Sequence, residues 1–275
     1  MPAENHTPER EPLEAARLRR AAVAPDGLWR DIEVVPSTGS TNADLLARAL
    51  RGEPEGVVLA AEEQTAGRGR MGRRWSSPPY AALTFSLLTR PDVPPSRRGW
   101  LPLLAGVAVA AAVTEVTGVE ARLKWPNDVL AGEAKLAGIL AEAAGDAVVV
   151  GIGLNVSAEP AELPAPGPGA LPATSLRAAG ATALNRENLL LAILAWFERW
   201  YRTWQQAGGD PDRSGLRPGY TRLSATIGRP VRAELPGGQA FSGPAVGVDS
   251  DGRLLILVSP GSEVAVAAAD VAHLR

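Results

Sequence analysis

The sequence predicts an α+β protein, in which a central mixed β-sheet carries packed helices and a small β barrel follows at the C-terminal end. Strand-length apolar segments and Ala/Leu-rich segments of helical length alternate up to about residue 222. Beyond it, short apolar segments are separated by the turns PGG, SDG and SPGS, as in a small all-β module. We therefore expect a partly disordered tail over residues 1–27, a large domain over 28–222 and a barrel over 223–275.

The first half of the large domain alternates strands with helices. Ser40 or Thr41 can cap a helix that Gly52 ends, because hydroxyl side chains accept hydrogen bonds from the free amides of a first helical turn. A basic, glycine-rich segment at 64–75 lies between two apolar runs. The expected strands are 31–35, 57–62 and 83–89, and a buried helix is expected over 100–116.

The second half adds three strand candidates, a loop and a long helix. The strand candidates are ARLKW, KLAGILAEA and AVVVGIGLNV, the last apolar on both faces. The Pro-rich segment 158–172 is expected to be a loop. Residues 188–206 predict a helix whose aromatic side chains pack in the core.

Composition excludes several kinds of chemistry. The chain has no cysteine, which removes disulfides, thiolate metal sites and thioester intermediates. Its only histidines are His6 and His273, so a histidine metal site or a Ser-His-Asp triad is not expected. A net charge of −2 argues weakly against a dedicated nucleic-acid binder. The N-terminal segment lacks the apolar region of a signal peptide, and we expect a soluble, cytoplasmic protein with no membrane contact.

Positive charge is distributed very unevenly between the two basic residue types. The sequence has 26 arginines and only two lysines, Lys124 and Lys135, eleven residues apart. Lysine differs from arginine in being a compact point charge on a flexible stem. Where arginine is otherwise so strongly preferred, two neighbouring lysines indicate positions that need an ammonium group.

The segment Gly67–Arg74 alternates glycine with arginine. Glycine lets backbone amides approach a ligand and lets a loop move, and arginine forks bind carboxylate or phosphate oxygens. The pattern favours a mobile clamp over an anionic substrate, although a solvated basic loop or a nucleic-acid-binding segment remains an alternative. No GK[ST] follows, so the segment is not a Walker A loop.

A cation, an amide and a carboxylate stand together in Lys124-Trp125-Pro126-Asn127-Asp128. Pro126 cannot continue a strand ladder, so Asn127 and Asp128 are expected in a turn or bulge. If residues 128–135 form a hairpin, Lys124 and Lys135 lie on neighbouring strands and face one pocket. The alternative is a structural salt bridge with Asp128.

These segments together resemble the bacterial biotin protein ligases. The strings that carry the resemblance are, in order, STGSTN, EEQTAGRGRMGRRW, KWPNDVL, KLAGILAE and GIGLNV. The resemblance runs from about residue 31 to the C-terminus. It implies a catalytic domain of the class II synthetase type, an SH3-like C-terminal barrel, and ATP-dependent transfer of biotin to a carrier-domain lysine through biotinyl-5′-AMP.

The resemblance also implies roles for individual residues. Lys135 and Arg70 would be catalytic, with Lys135 touching both the biotin carboxylate and the α-phosphate of ATP. Asp128 would bind Mg²⁺ or orient the acceptor amine. The residues expected to bind biotin are Ser40, Thr41, Asn42, Gln64, Gly67, Arg68, Gly69, Arg70, Trp75, Lys135 and Gly138. Those expected to bind ATP are Arg70, Arg73, Lys124, Asn127 and Asn155.

The same resemblance sets expectations for partners and cofactors. ATP with Mg²⁺ and biotin are substrates, no tightly bound cofactor is expected, and the protein partner is the biotin carboxyl carrier domain of acyl-CoA carboxylases. Only 39 residues precede Ser40, too few for the winged helix of repressor-type relatives, so DNA binding is not expected. The chain is expected to be a monomer or a weak, ligand-dependent dimer. A lipoate or octanoate ligase and, from another class, a nucleic-acid-binding regulator remain as alternatives.

Overall fold

A seven-stranded mixed sheet forms the centre of the computed structural model, which describes residues 10–167 and 170–274. The strands follow the order β1-β2-β3-β7-β6-β5-β4. Only β1 and β2 pair in parallel, and the other neighbours are antiparallel. The strands are β1 Asp31–Thr38, β2 Val57–Gln64, β3 Ala82–Thr89, β4 Ala121–Lys124, β5 Asp128–Ala131, β6 Ala134–Ala144 and β7 Ala147–Asn155. This arrangement confirms the predicted mixed sheet.

Five helices accompany the sheet in the described residues. They are α1 Ala15–Ala22, α2 Thr41–Leu50, α3 Leu101–Thr117, α4 Arg186–Gln206 and α5 Leu216–Leu223. Alternate residues of β2 are buried in two different hydrophobic clusters. Val58 and Ala60 belong to the main core with α3 and α4, and Val57 and Leu59 belong to a smaller cluster with α2. Successive strand residues point to opposite faces, so α3 and α4 cover one face and α2 the other.

The helical stretch Pro95–Thr117 is long and apolar enough to cross a membrane by length and composition alone. In the structure, 67% of its apolar window is buried inside the protein. It packs against α4 and against strands of the central sheet. The apolarity of this stretch is therefore that of a core helix.

The N-terminal segment is attached to the large domain. Leu18 of α1 is fully buried, and the Leu13 amide donates to Glu62 Oε1 at 2.6 Å. Arg186 donates to Glu62 Oε2 and to the Glu11 carbonyl. Two leucines and the buried Arg186–Glu62 ion pair thus hold residues 10–27 against the large domain, while the expected partial disorder of 1–27 stays a prediction. Residues 1–9 lie outside the described part.

The C-terminal module is an antiparallel five-stranded sheet in the order β11-β10-β9-β8-β12. Its strands are β8 Pro230–Glu234, β9 Ala240–Val248, β10 Leu254–Ser259, β11 Ser262–Val266 and β12 Asp270–His273. It rests on the large domain through two buried tryptophans. The Trp100 indole donates to the Asp249 and Ser250 carbonyls, and the Trp125 indole to the Gly252 carbonyl.

Candidate active site

A cavity of about 750 Å³ opens on the face of the sheet that carries α2. It brings together fifteen of the sixteen residues that the sequence predicts for the site: Ser40, Thr41, Asn42, Gln64, Arg68, Gly69, Arg70, Arg73, Trp75, Lys124, Asn127, Asp128, Lys135, Gly138 and Asn155. Gly67 stands apart at the base of the clamp segment, where its carbonyl accepts from the Trp75 amide at 3.0 Å.

Three glycines form the floor of the cavity. Gly138 of β6 and Gly153 of β7 are paired across the strands, and Gly151 lies two residues before Gly153. A Cβ at Gly153 would lie 2.3 Å from the Trp75 ring, and one at Gly151 would lie 2.2 Å from Asn42 Oδ1. Both positions require glycine because neighbouring side chains lie directly on the backbone.

One end of the cavity is a hydrogen-bonded polar cluster at the start of α2. Ser40 caps the helix by accepting from the Ala43 amide, as predicted. The Thr41 amide donates to Gln64 Oε1 at 2.8 Å. Thr41 Oγ1 lies 2.7 Å from Ser86 Oγ, which donates to Asn42 Oδ1 at 2.6 Å. Sequence reasoning missed Ser86, which is fully buried in the middle of a strand and carries no motif.

The other end of the cavity carries the two lysines. β4 and β5 pair Lys124 with Asp128, and β5 and β6 pair Asp128 with Gly138. The predicted hairpin forms and both lysines line one pocket, but β5 lies between β4 and β6, so the two lysines are not on neighbouring strands as expected. Lys135 Nζ also lies 2.7 Å from Asp128 Oδ1, so the alternative of an ion pair with Asp128 is realised as well. Burial is the main cause that lowers the pKa of Lys124, and nearby Lys135 adds to it, while Asp128 opposes both.

The two asparagines expected to bind nucleotide make hydrogen bonds to other residues of the site. Asn127 Nδ2 donates to the Ile139 carbonyl, and Asn127 Oδ1 accepts from Arg70 at 3.3 Å. Asn155 Nδ2 donates to the Thr174 carbonyl at 2.9 Å. The segment around Thr174 also holds Lys135, whose amide donates to the Pro172 carbonyl. The Pro-rich loop, expected only as irregular chain, therefore lines the pocket and supports the lysine.

The clamp segment folds into a small hairpin. Arg68 pairs with Arg74, and the Gly69 amide donates to the Arg73 carbonyl at 2.7 Å. Met71 at the tip has a positive φ of 54°, which a residue with a side chain adopts only in a tight turn. The tip is also exposed, with Met71 53% accessible.

The C-terminal barrel contributes to the same cavity. Arg73 Nη2 lies 2.7 Å from Asp270 Oδ1, and Arg70 Nη1 lies 3.5 Å from the Ala269 carbonyl. Burial lowers the pKa of Arg70, and Asp270 opposes this. Arg232 and Glu234 of β8 also line the cavity. Sequence reasoning did not assign Ala269, Asp270, Arg232 or Glu234 to the site, because the barrel carries no motif comparable with those of the large domain.

The Trp75 ring lies against the glycine floor. Its ring approaches both Gly138 and Gly153. The indole nitrogen is buried, and no hydrogen-bond acceptor reaches it within the described ranges. Buried donors normally have a partner, so this N–H is available to a group that enters the cavity.

The carboxylates do not form a metal site by themselves. Within residues 10–167 and 170–274, no group of three or more His, Cys, Asp or Glu side chains could hold a metal ion. Asp128 is ion-paired with Lys135. A Mg²⁺ ion at this site would therefore depend on ligands from a nucleotide, with Asp128 supplying one at most.

Comparisons with known proteins agree with this geometry. The model of the biotin/lipoate A/B protein ligase family matches residues 33–157, and that of the biotin protein ligase C-terminal domain matches 226–274. A biotin–[acetyl-CoA-carboxylase] ligase of Mycobacterium tuberculosis is 45% identical over 271 residues, 97% of each chain. The chain belongs to the biotin protein ligases.

Solved biotin protein ligases share the fold. The Aquifex aeolicus enzyme in complex with biotin and ATP superposes with a TM-score of 0.74 at 28% identity, covering 90% of this chain and all of that one. The Leishmania major enzyme in complex with biotinyl-5-AMP gives 0.59 at 25% identity, covering 86% and 98%. The catalytic-domain fold and the SH3-like C-terminal module that the resemblance implied for a biotin protein ligase are thus confirmed.

Proposed function

We propose that this biotin protein ligase activates biotin with ATP and transfers it to a lysine of the carboxylase carrier domain. The single observation that carries the proposal is the cavity itself. It joins a polar cluster at one end to a group of cations at the other, across a flat floor of glycine. A ligand with a polar head, an apolar middle and an anionic end fits this arrangement, and biotin has that form.

In the first half-reaction, a carboxylate oxygen of biotin attacks the α-phosphorus of ATP and pyrophosphate leaves. Two anions must approach, so fixed positive charge is needed where charge builds up in the transition state. Lys135 supplies it beside the glycine floor, with Lys124 behind it and Arg70 and Arg73 on the clamp. The phosphates would replace Asp270 as the partner of Arg73, since phosphate is a strong acceptor for arginine.

In the second half-reaction, the carrier lysine nitrogen attacks the carbonyl carbon of biotinyl-5′-AMP. The bond to the phosphate oxygen breaks, AMP leaves, and the amine loses a proton. Asp128 lies at the cationic end of the cavity, where it can accept a hydrogen bond from the incoming ammonium. Once Lys135 turns to the ligand, Asp128 is free for this role. Closure of the clamp keeps water from the mixed anhydride.

The remaining features of the proposal concern the cellular setting. Mg²⁺ accompanies ATP and is held mainly by its phosphates. The enzyme works in the cytoplasm, as a monomer or a weak, ligand-dependent dimer, and does not bind DNA. The net charge of −2 supports the last point, because sequence-independent DNA binding depends on neutralising phosphates.

Substitution of Lys135 tests the proposal. Labelled biotin, ATP and a carrier domain are incubated with the native chain and with Lys135→Ala, and biotinyl-AMP and biotinylated carrier are measured. We expect Lys135→Ala to form biotinyl-AMP at least about a hundredfold more slowly, because it lacks a positive charge where negative charge builds up in the transition state. Arg222→Ala, which removes an exposed charge of α5 far along the chain, serves as the control and keeps native activity.

The two alternative functions are separated by binding measurements. Titration calorimetry with biotin and with lipoate distinguishes the ligases that share this fold, and preference for lipoate would contradict the proposal. A gel shift over a range of salt concentrations tests the nucleic-acid-binding alternative, whose affinity would fall steeply with salt.

A further inference from the structure

The Pro-rich loop forms one wall of the reaction cavity. The residues of the loop that line the cavity are 164–167, 170, 171 and 173. The loop leaves the sheet after Asn155 and returns beside Lys135, which pairs with Ala173. The wall therefore stands at the cationic end of the cavity, where ATP is expected. Its proline, alanine, glycine and leucine residues offer an uncharged surface to a nucleotide base.

The base of this loop is held by residues that follow it in the chain. Ser175 Oγ donates to the Ala158 carbonyl at 2.6 Å. Arg177 Nε lies 3.4 Å from Glu159 Oε1. These bonds hold residues 157–159 and do not extend to the part of the loop that lines the cavity.

The next turn of the loop, Pro160–Glu162, is tied to the N-terminal segment. Glu162 Oε2 accepts from the Glu159 amide at 2.9 Å, which closes the turn on itself. Among the residues that the structure describes, the one ion-pair partner of Glu162 is Arg10, with Nη2 at 2.6 Å from Oε2. Arg10 also reaches the Ser157 carbonyl at 3.4 Å. It is the main cause that lowers the pKa of Glu162.

Arg10 is itself held firmly. Its side chain is only 11% exposed. The carbonyl of the next residue, Glu11, accepts from Arg186, and Arg186 forms an ion pair of 2.6 Å with Glu62 in which both side chains are buried. The backbone beside Arg10 is thus attached to the large domain independently of the loop. A nearly buried guanidinium requires a counter-charge, and Glu162 supplies it.

We propose that Arg10 is a positioning residue for ATP, which fixes the turn at Pro160–Glu162 and, through it, the cavity wall at 164–167. The proposal rests on the function proposed above and adds a residue that touches neither substrate. Only Leu163 separates the turn from the wall. Prolines at 164 and 166 stiffen this stretch, so a displacement of the turn is passed on to the wall.

Arg10→Gln tests the proposal, because it removes the charge and leaves the anchored backbone in place. We expect KM for ATP to rise about threefold, the factor that a partly exposed ion pair of ordinary strength contributes. The kcat and KM for biotin remain as in the wild type. Arg10→Lys keeps a charge that can pair with Glu162 and should recover most of the wild-type KM for ATP.

Hydrogen exchange followed by mass spectrometry gives a readout apart from activity. In Arg10→Gln without ligands, the amides of residues 161–167 should exchange faster than in the wild type, while those of β7 should not, since only the loop is released. Equal exchange of residues 161–167 in the two proteins would contradict the role of Arg10 in holding the loop.

A double variant shows whether Arg10 acts through Glu162. Glu162→Gln loses the same ion pair, while its side-chain oxygen can still accept from the Glu159 amide. Arg10→Gln and Glu162→Gln together should raise KM for ATP no more than either alone, because they remove one interaction. Two effects that multiply would assign them to separate causes and overturn the proposal.

Arg17→Gln is the matched control, because it removes another ion pair of the N-terminal segment, 3.2 Å long, whose partner Glu187 lies on α4. It should leave KM for ATP unchanged, and an equal rise there would overturn the proposal, as would an unchanged KM in both Arg10→Gln and Glu162→Gln. If Arg10→Gln does not fold, Glu162→Gln alone decides, with thermal unfolding as the check on its integrity. A wild type that forms no biotinyl-AMP would instead contradict the proposed function.

Discussion

The identity of Gly153 and the position of Lys135 are determined by the atoms packed against them, as well as by the ligand they are expected to bind. Gly153 shows this clearly, because the Trp75 ring occupies the space that a side chain would need. Lys135 is constrained in the same way by the segment at Pro172 and Thr174, which binds both its amide and its carbonyl. The position of Lys135 thus depends on a loop far along the chain.

Gly153→Ala tests the role of the floor. The new methyl group forces the indole off the floor and narrows the pocket, and we expect KM for biotin to rise about tenfold or more, as misplacement of a positioning group does. Stability changes little, because Gly153 has an ordinary strand conformation. Steady-state kinetics with thermal unfolding measures both effects. The control is Gly247→Ala in β9, where an added Cβ would lie 3.9 Å from the nearest atom, Leu255 Cδ1. An unchanged KM for biotin in Gly153→Ala would show that the glycine floor does not determine binding.

His273 makes stability depend on pH. Burial lowers its pKa to about 4, and the positive charges of Lys124 and Arg229 act in the same direction. The unfolded chain takes up this proton near the ordinary histidine pKa of about 6.5, so between pH 6.5 and 4 unfolding binds a proton. Stability therefore falls as the pH drops through this window.

Urea unfolding of wild type and His273→Gln at several pH values measures this. The variant should lose less stability than the wild type between pH 6.5 and 4, while still offering a polar group to Thr226. Equal losses in both proteins would assign the acid sensitivity to other groups.

At the scale of elements, the clamp hairpin is connected to two different parts of the protein. Arg70 bonds to Asn127 of the large domain, and Arg73 to Asp270 of the barrel. Its tip at Met71 and Gly72 makes no comparable contact and is exposed. The clamp is therefore held at its arginines and free at its turn.

We predict that residues 67–75 become ordered when biotin and ATP bind, and limited trypsin digestion tests this. The arginines are cleavage sites, and phosphates that bind Arg70 and Arg73 hold the loop closed. We expect cleavage in the clamp to slow at least about tenfold with biotin plus ATP, since proteolysis follows the population of the open form. Cleavage at Arg20, on the exposed side of α1, serves as the internal control. If biotin plus ATP slowed cleavage equally in the clamp and at Arg20, ligand-dependent closure of the clamp would be contradicted.

The sequence predicted the elements of the site better than their surroundings. The motifs identified the clamp, the lysines and the cap of α2 because each needs a particular residue type. The contacts of residues 10–27 were not predicted, because Leu13 and Leu18 stand isolated among charged residues and the sequence does not show which residues they pack against. Asp270 was missed because its importance comes from a long-range contact with Arg73.

At the scale of the whole molecule, the barrel and the large domain share one core. Trp100 and Trp125 are almost fully buried, and both bond to carbonyls in the turn at 249–252 of the barrel. The backbones of Gly99 and Gly252 also approach too closely for any side chain at Gly252. Separating the two parts would expose two large indoles and leave their N–H groups without these partners.

We therefore expect the two domains to unfold together. Calorimetry should show a single transition with equal calorimetric and van't Hoff enthalpies, which is the test of a cooperative two-state unit. Trp125→Phe removes one indole donor and should lower the stability of the whole protein by about 1–3 kcal/mol, the cost of an unsatisfied buried carbonyl. Two separate transitions in the wild type would show that the domains are independent.

Both lysines of the chain line the reaction cavity, and this has a consequence for an enzyme that makes an acylating agent. A mixed anhydride such as biotinyl-AMP acylates free amines once it leaves the active site, and the commonest amine on protein surfaces is that of lysine. Arginine keeps its proton and is not acylated in this way. Outside the cavity, this sequence therefore carries no lysine side chain that such a product could label.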